Sequence, residues 1–255
     1  MNIKQKPLYI AFASQKGGVG KSTFTTLLAS LLHYRLGYNV VVVDADFPQH
    51  SISKMKERDL ASVMSNEVLK KLAEKQFTTI NKKAYSIINC KAEAALQEAD
   101  QFVREAIVVP DVIFFDLPGT VNTPGILSAL AGMHHIFAPT TADRVVMEST
   151  LIFVQLLQEV IKKSGRTKIE SINLFWNQVD GRENTPLYNI YNMLIAELGF
   201  SLMHSRIKSS TRFRKESETD SKQVFRSTLL PAEERLMKAC HLDQFTTEFL
   251  NIIKL

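Results

Sequence analysis

Short apolar segments rich in β-branched residues alternate along this chain with longer segments of helical periodicity. Most of the short segments are continuously apolar, which is typical of strands covered on both faces. They predict six strands, at Leu8–Ala13, Val40–Val43, Ala84–Asn89, Val112–Phe115, His135–Ala138 and Ile169–Trp176. The helical segments lie near Lys21–Arg35, Ser51–Lys75, Ala92–Ala106, Arg144–Lys163 and Pro186–Leu198. This alternation predicts an α/β fold, a doubly wound and mostly parallel sheet with helices on both faces.

Nothing in the pattern divides the chain. Its 255 residues suit one large domain, and no Pro/Gly/Ser linker or internal repeat interrupts them, so we expect a single domain over residues 1–255. No apolar run reaches 18 residues, and the N-terminus lacks a signal-peptide pattern. The two cysteines, Cys90 and Cys240, are far apart, as expected of idle thiols in a reducing cytoplasm. We therefore expect a cytoplasmic protein.

The chain carries a mild excess of positive charge and one long charged segment. The formal net charge is +5, which is compatible with a polyanionic partner and establishes none. The segment from Lys54 to Val109 is a long charged excursion between two apolar strands. It is either a surface specific to this protein or an ordinary solvated helical connection, and we favour the second interpretation.

A glycine-rich loop joins the first predicted strand to the first predicted helix. It reads Lys16-Gly17-Gly18-Val19-Gly20-Lys21-Ser22-Thr23. Strand, loop and helix in this order are the context of a phosphate-binding loop, in which backbone N–H groups and the helix N-terminus face phosphate oxygens. We expect Lys21 to hold the β- and γ-phosphates, Ser22 to bind Mg²⁺ directly, and Thr23 to contact the α-phosphate.

The loop departs from the common form of this motif. Gln15 stands where the common motif has its first glycine, and Lys16 adds a second lysine. These residues instead match K-G-G-x-G-K-[ST] at every position. The segment resembles the deviant Walker A ATPases of the ParA/MinD/Soj family, and its sequence is more similar to that of ParA and Soj. The resemblance implies ATP and Mg²⁺ as cofactors, a homodimer on ATP binding, and a catalytic Lys16 that reaches the partner's ATP.

Acidic residues follow two of the predicted strands. Asp44 and Asp46 end the second strand, at the sheet edge where ligands bind in open α/β folds. The family has D-x-D-P-Q here, which implies that Asp46 places the attacking water and Asp44 lies at the nucleotide. Phe47 is an insertion in that spacing. The alternative is a pair of acids in a solvated turn.

Two further residues complete the predicted nucleotide site. Asp116 ends the fourth strand before Leu117-Pro118-Gly119, and it fits an acid that holds the Mg²⁺ shell through water. Asn177 follows a later strand in Asn177-Gln178-Val179-Asp180. An asparagine amide can pair with adenine, and the related N-R-V-D motif implies that role; the alternative is a simple turn residue.

A basic stretch from His204 to Lys215 contains no acid. Clustered cations suit phosphate backbones without base readout. The alternative, a solvated basic loop balanced by the acids after it, is about equally supported by the residues alone. ParA-like relatives bind nonspecific DNA through this half of the chain, which tips the interpretation towards DNA. The candidate contacts are Lys208, Arg212, Arg214 and Lys215.

The C-terminal segment has helical apolar spacing from Leu242 to Ile253. It lacks the basic face of a membrane-surface helix, so we expect it to dock on the core and expect no membrane partner. The resulting hypothesis is a slow, partner-stimulated switch ATPase of DNA partition or mobile-element transfer. Its partner would be a centromere-binding or transfer protein. The alternatives are a MinD-like membrane-positioning ATPase and a nucleotide-sensing scaffold with negligible turnover.

Overall fold

The computed structural model describes residues 6–120, 125–164, 167–181, 185–210 and 224–255. Its strands form one seven-stranded sheet in the order β3-β2-β4-β1-β5-β6-β7, in which neighbouring strands run parallel. The strands are β1 Leu8–Phe12, β2 Val40–Asp44, β3 Ser86–Asn89, β4 Val112–Asp116, β5 His135–Thr140, β6 Ser171–Val179 and β7 Ser201–Lys208. The predicted doubly wound α/β fold is confirmed. That residues 1–255 form one domain stays a prediction.

Helices cover both faces of this sheet. They are α1 Lys21–Tyr34, α2 Ser51–Ser65, α3 Glu67–Ile80, α4 Ala95–Glu105, α5 Ile126–Ala131, α6 Arg144–Ser164, α7 Thr185–Glu197, α8 Glu234–Cys240 and α9 Leu242–Ile253, with a 3₁₀ turn at Ala92–Ala94. Alternate residues of β1 enter opposite cores. Ile10 and Phe12 pack towards α1, α8 and α9, whereas Tyr9 and Ala11 pack towards α4 to α7.

The C-terminal helix is docked as its spacing predicts. The Phe249 ring of α9 lies 4.8 Å from the Phe137 ring, and the Phe245 ring lies 4.7 Å from the Phe175 ring, measured between centroids. Both α9 aromatics are fully buried, so the apolar face of this helix belongs to the core. Among the described residues, no helix is long and apolar enough to cross a membrane.

The structure corrects several predicted elements. The helix expected over Ser51–Lys75 is broken at Asn66, where the backbone is extended. The side-chain oxygen of Asn66 caps α3 by accepting hydrogen bonds from two backbone N–H groups, at 2.9 and 3.2 Å. Local capping therefore interrupts an otherwise helical pattern. The sixth strand runs on to Val179. The start of the basic stretch is not a loop, because residues 204–208 belong to β7, and the helices α5 and α8 were not predicted.

The order of the strands decides where a ligand can bind. β1, β2 and β4 are parallel, with β4 paired to both of the others, so the loop after β1 and the acids ending β2 and β4 share one edge of the sheet. Asp44 and Asp116 are direct register partners across β2 and β4. The chain goes to one side of β1 for β2 and to the other side for β5, and this reversal opens a crevice at the carboxyl edge.

Candidate nucleotide-binding site

The phosphate loop is a tight turn that favours glycine at two positions. Gly18 and Gly20 have φ of 77° and 104°, in the left-handed region that disfavours side chains. A Cβ at Gly20 would also lie 2.9 Å from the Asn177 side-chain nitrogen. The Lys21 ammonium donates to the Lys16 carbonyl at 3.2 Å and so closes the loop on itself. α1 begins directly after this turn, at Lys21. The N–H groups at the helix N-terminus are therefore placed to bind an anion.

A cavity of about 1090 Å³ opens at this loop. Its lining includes the loop glycines with Lys21, Ser22 and Thr23, and also Asp46 and Gly119. A Cβ at Gly119 would lie 3.0 Å from the Lys21 nitrogen, so the absence of a side chain there leaves room for the ammonium. The cavity therefore brings together most of the predicted phosphate and catalytic residues.

Lys21 is held as a partly desolvated cation. Burial lowers its pKa, while the nearby carboxylates of Asp116 and Asp46 oppose that shift. A desolvated ammonium interacts more strongly with an incoming anion than a hydrated one does, because the effective dielectric constant is lower. Its position at the cavity wall suits the predicted contact with phosphate.

Asp116 is a buried acid whose carboxylate oxygens lack hydrogen-bond partners of normal geometry among the described residues. Burial raises its pKa to about 7, against the effect of the nearby Ser22 hydroxyl; Asp44 and Asp46 raise it further. An orphaned carboxylate beside a hydroxyl is a donor set that suits Mg²⁺, a cation that prefers oxygen ligands. Ser22 and Asp116 thus fit the predicted metal position; direct binding by Ser22 and a contact through water by Asp116 stay predictions.

This burial makes a prediction about stability. The folded pKa of Asp116 lies above its ordinary value of 3.8, so the charged form destabilises the empty protein, fully above about pH 7 and less as the pH falls towards 4. Asp116→Asn should therefore raise the free energy of unfolding at pH 8, by roughly 1 kcal/mol or more. Urea unfolding without nucleotide or Mg²⁺ at pH 8 and pH 5 is the measurement. If Asp116→Asn raised the free energy of unfolding equally at both pH values, the gain would not come from removing the buried charge.

Asp46 and Asp44 occupy different places. Asp46 lines the cavity, where burial raises its pKa and Lys21 opposes the shift. Asp44 is fully buried beneath it, and its Oδ2 accepts from the backbone N–H groups of Ile52 and Ser53 at the start of α2. Asp44 thus anchors the helix that follows Asp46. Its predicted contact with nucleotide, like the catalytic role of Asp46, stays a prediction.

The inserted Phe47 does not remove Asp46 from the cavity. Its ring is half exposed at the cavity wall, and the Lys91 ammonium lies 5.1 Å from the ring centroid. The extra residue is therefore accommodated at the surface of the loop. The side chain of Asp46 still shares the cavity with Lys21.

Asn177 lies within β6, not in a turn after it, and it touches the phosphate loop. Its side-chain nitrogen donates to the Val19 carbonyl at 2.8 Å, and the Gln178 side chain donates to the Gly18 carbonyl at 3.1 Å. Beside this contact lies a smaller cavity of about 200 Å³, which Thr23 also lines. A base could occupy this second cavity with its phosphates in the first. Adenine recognition by Asn177 stays a prediction.

Of the remaining predicted site residues, Lys16 and Lys208 lie in the described part of the chain and are not among the residues that line the phosphate cavity. The backbone of Lys16 takes part in the loop, but its partly buried side chain does not line its own phosphate cavity. Lys208 is exposed at the end of β7. Arg212, Arg214 and Lys215 lie outside the described residues.

Comparison with known proteins decides the family. A model described as the CobQ/CobB/MinD/ParA nucleotide binding domain matches residues 10–224. The chain belongs to this family. As a ParA/MinD-type protein it contains a nucleotide-binding domain, and the phosphate loop, Asp46 and Asp116 all lie within the matched range.

Individual ParA/MinD-type proteins are similar over much of the chain. The chromosome-partitioning ATPase Soj of Thermus thermophilus is 27% identical over 186 residues, 71% of this chain and 73% of that protein. A candidate plasmid partition protein from Borrelia burgdorferi bound to AMPPNP has a TM-score of 0.61 at 18% identity, covering 96% of this chain and 99% of that chain. The pNOB8 ParA bound to nonspecific DNA has a TM-score of 0.50 at 19% identity, covering 78% and 79%. The two structures bear on the fold alone.

Sequence reasoning about this ParA/MinD-type chain missed three cations at the cavity. Lys54 and Arg58 lie one turn apart on α2, and Arg226 comes from the segment between β7 and α8. The spacing of Lys54 and Arg58 on a helix beginning next to Asp46 could have indicated a shared face. No local signal marks Arg226, because it reaches the cavity only through the tertiary fold.

Proposed function

We propose that this protein is an ATP-dependent dimerising switch ATPase that acts in DNA partition or in the transfer of a mobile DNA element. One observation carries the proposal: the phosphate loop and the desolvated Lys21 line one cavity, and the orphaned carboxylate of Asp116 lies near enough to act on the charge of Lys21. A desolvated cation and an unpaired carboxylate are both unfavourable in the empty protein. Mg²⁺ and a triphosphate would satisfy both groups together.

Different residues of the site serve nucleotide binding and hydrolysis. Lys21 and the loop N–H groups bind the β- and γ-phosphates, and Thr23 contacts the α-phosphate. Ser22 and Asp116 would hold Mg²⁺, which would supply charge neutralisation at the phosphate oxygens. Asp46, which lines the same cavity as the loop, orients the attacking water. Anchoring of α2 by Asp44 fixes the end of the loop that carries Asp46.

ATP binding and dimerisation are coupled through Lys16 in this proposal. Its side chain does not line its own cavity among the described residues, so its charge is available to a second subunit's nucleotide. The dimer places two weak basic surfaces on one duplex, and hydrolysis releases the DNA. The partner protein that speeds hydrolysis would be a centromere-binding or transfer protein.

The position of α9 argues against the MinD-like alternative. A membrane-surface helix must present its apolar face to lipid. Here Phe245 and Phe249 fill the core between α1 and the sheet. The same face cannot serve both purposes without undocking the helix.

A turnover assay tests the proposal as a whole. ATP hydrolysis should be slow for the protein alone and faster when duplex DNA and the product of a neighbouring gene are added. A centromere-binding gene nearby would indicate partition, and conjugation genes would indicate transfer. ATP binding with no turnover under any condition would contradict the ATPase and favour the nucleotide-sensing scaffold.

Asp46→Ala is expected to trap the ATP-bound dimer. The phosphate-binding groups remain while water placement is lost, so turnover should fall on the order of a hundredfold or more. Steady-state hydrolysis and light scattering in ATP·Mg²⁺ measure the two effects. Glu57→Ala, which removes an exposed acid of α2, is the matched control. Wild-type turnover by Asp46→Ala would mean that the Phe47 insertion has displaced the catalytic acid, and Asp44 would be tested next.

Charge reversal of Arg212, Arg214 and Lys215 is expected to weaken DNA binding and leave ATP binding unchanged. Each phosphate contact releases about 0.9 of a counterion, so removing contacts should flatten the salt dependence. Affinity for unrelated duplexes should fall together, because backbone contacts carry no sequence information. Anisotropy across a salt series, with and without a non-hydrolysable ATP analogue, is the measurement.

A matched control separates contact from net charge. Reversal of Lys70, Lys71 and Lys75, exposed on α3, changes the protein's charge by the same amount elsewhere. Equal salt slopes for the two triple variants would rule out phosphate contact by the first set. A wild-type protein with no DNA affinity in any nucleotide state would contradict the DNA-binding proposal itself.

A further inference from the structure

The segment from Val224 to Ala232, here called the return segment, comes back from β7 towards the phosphate loop. Its backbone is held by side chains of three helices. The bonds run from Ser30 Oγ to Ser227 O (2.5 Å), from Tyr34 Oη to Thr228 O (2.7 Å), from Thr228 N to Asp59 Oδ2 (2.7 Å), and from Gln76 Nε2 to Leu229 O (2.7 Å). Phe225, Leu229 and Leu230 are also buried. The segment is therefore fixed to α1, α2 and α3.

The anchored return segment places the side chain of Arg226 in the proposed nucleotide site. The Arg226 Nη1 donates to Thr23 Oγ1 at 2.8 Å, and the residue lines the phosphate cavity. Thr23 lines both the large cavity and the smaller one beside Asn177. It therefore marks the boundary between the proposed phosphate and base positions, which is where an α-phosphate would lie.

We propose that Arg226 binds the α-phosphate of the nucleotide in its own subunit, together with Thr23. This inference rests on the proposed ATP site. A guanidinium has five N–H donors in a fixed geometry, so one arginine can bond a hydroxyl and a phosphate at the same time. The threonine hydroxyl accepts from Arg226 and can donate its own hydrogen to the same phosphate. Arginine suits this position because its planar fork matches phosphate oxygens.

The anchoring of the return segment strengthens the contact. A side chain on a fixed backbone loses less conformational entropy on binding than one on a free loop. The bonds from α1 and α2 hold the backbone next to the arginine before nucleotide arrives. Arg226 is thus a preorganised cation.

The proposed contact has a distinctive effect on nucleotide preference. ATP and ADP share the α-phosphate, so Arg226 should add affinity for both without discriminating between them. Lys21, at the β- and γ-phosphates, and Lys16, acting on a partner's nucleotide, should instead favour ATP. Arg226 would then retain ADP after hydrolysis, while the ATP-dependent switch depends on the lysines.

Calorimetry on four full-length proteins tests this inference: wild type, Arg226→Ala, Arg226→Lys and Arg35→Ala. Arg226→Ala should weaken a non-hydrolysable ATP analogue and ADP by the same factor, roughly ten- to a hundredfold, as for loss of a hydrogen bond to a charged group. Arg226→Lys keeps a charge without the planar fork and should recover part of the affinity. It also provides the measurement if the alanine variant does not fold.

Arg35→Ala is the control for a merely structural role. Arg35 donates to the Ala232 carbonyl of the same segment at 2.8 Å, away from the cavity. Its loss should lower the melting temperature and leave both affinities near wild type. Arg226 variants that bind like wild type, or lose no more than Arg35→Ala, would overturn the inference while leaving the ATP site intact. A loss confined to the ATP analogue would overturn the α-phosphate assignment. Wild type that binds neither nucleotide would overturn the proposed function and this inference with it.

Discussion

Lys21→Ala is expected to abolish nucleotide binding. The lysine ammonium reaches the cavity beside Gly119 and is the cation predicted to touch both the β- and the γ-phosphate. The simultaneous loss of two charge-assisted hydrogen bonds corresponds to a fall in affinity on the order of a thousandfold. Calorimetry with ATP·Mg²⁺ measures it directly. Retained micromolar binding would show that the loop does not hold phosphate in the way proposed.

A second variant separates lost binding from lost folding. Lys21→Met keeps most of the side-chain volume without the charge, and should bind no better than Lys21→Ala. Burial lowers the pKa of Lys21, so the charged ammonium is not a favourable element of the empty fold. The melting temperature of the methionine variant without nucleotide should therefore not collapse. A variant that is unfolded at room temperature would contradict this account of Lys21 as a binding group.

The features that the sequence predicts well are those encoded over short stretches of chain. β1, the loop from Lys16 to Thr23 and α1 occupy one continuous segment, and their chemistry follows from residue order. The continuous apolar character of β2 and β4 likewise predicts burial on both faces. Asp46 and Asp116 then fall at the carboxyl edge because parallel strands end there together.

The features that sequence reasoning misses depend on contacts between distant segments. Arg226 and Thr23 are 203 positions apart, and only the packing of the return segment brings them together. The motif of Asp44 predicts a place at the nucleotide, and it gives no sign that Oδ2 of this residue accepts from two backbone N–H groups at the start of α2. Asn66 shows a third limit, since one capping side chain divides a pattern whose periodicity alone predicts a single helix.

Lys16→Ala is expected to bind ATP nearly as well as wild type but to lose ATP-dependent dimerisation and turnover. The Lys16 carbonyl, not its side chain, supports its own loop by accepting from Lys21, and the substitution keeps that carbonyl. The side chain does not line its own cavity among the described residues, so its removal leaves the local phosphate contacts in place. The charge removed is the one that would neutralise a second subunit's triphosphate. Two negatively charged nucleotides would then face each other across the interface without that compensation.

Light scattering with a non-hydrolysable ATP analogue and a steady-state turnover assay measure the two losses. Lys75→Ala, which removes an exposed lysine from α3, is the control for net charge and should dimerise normally. A mixture of Lys16→Ala with Asp46→Ala sharpens the test, because in a mixed dimer each site takes its trans lysine from the other subunit. The site of the Lys16→Ala subunit then has both an intact Asp46 and an intact lysine from its partner, so partial turnover should return. Normal dimers and normal turnover by Lys16→Ala alone would contradict the action of this lysine across the interface.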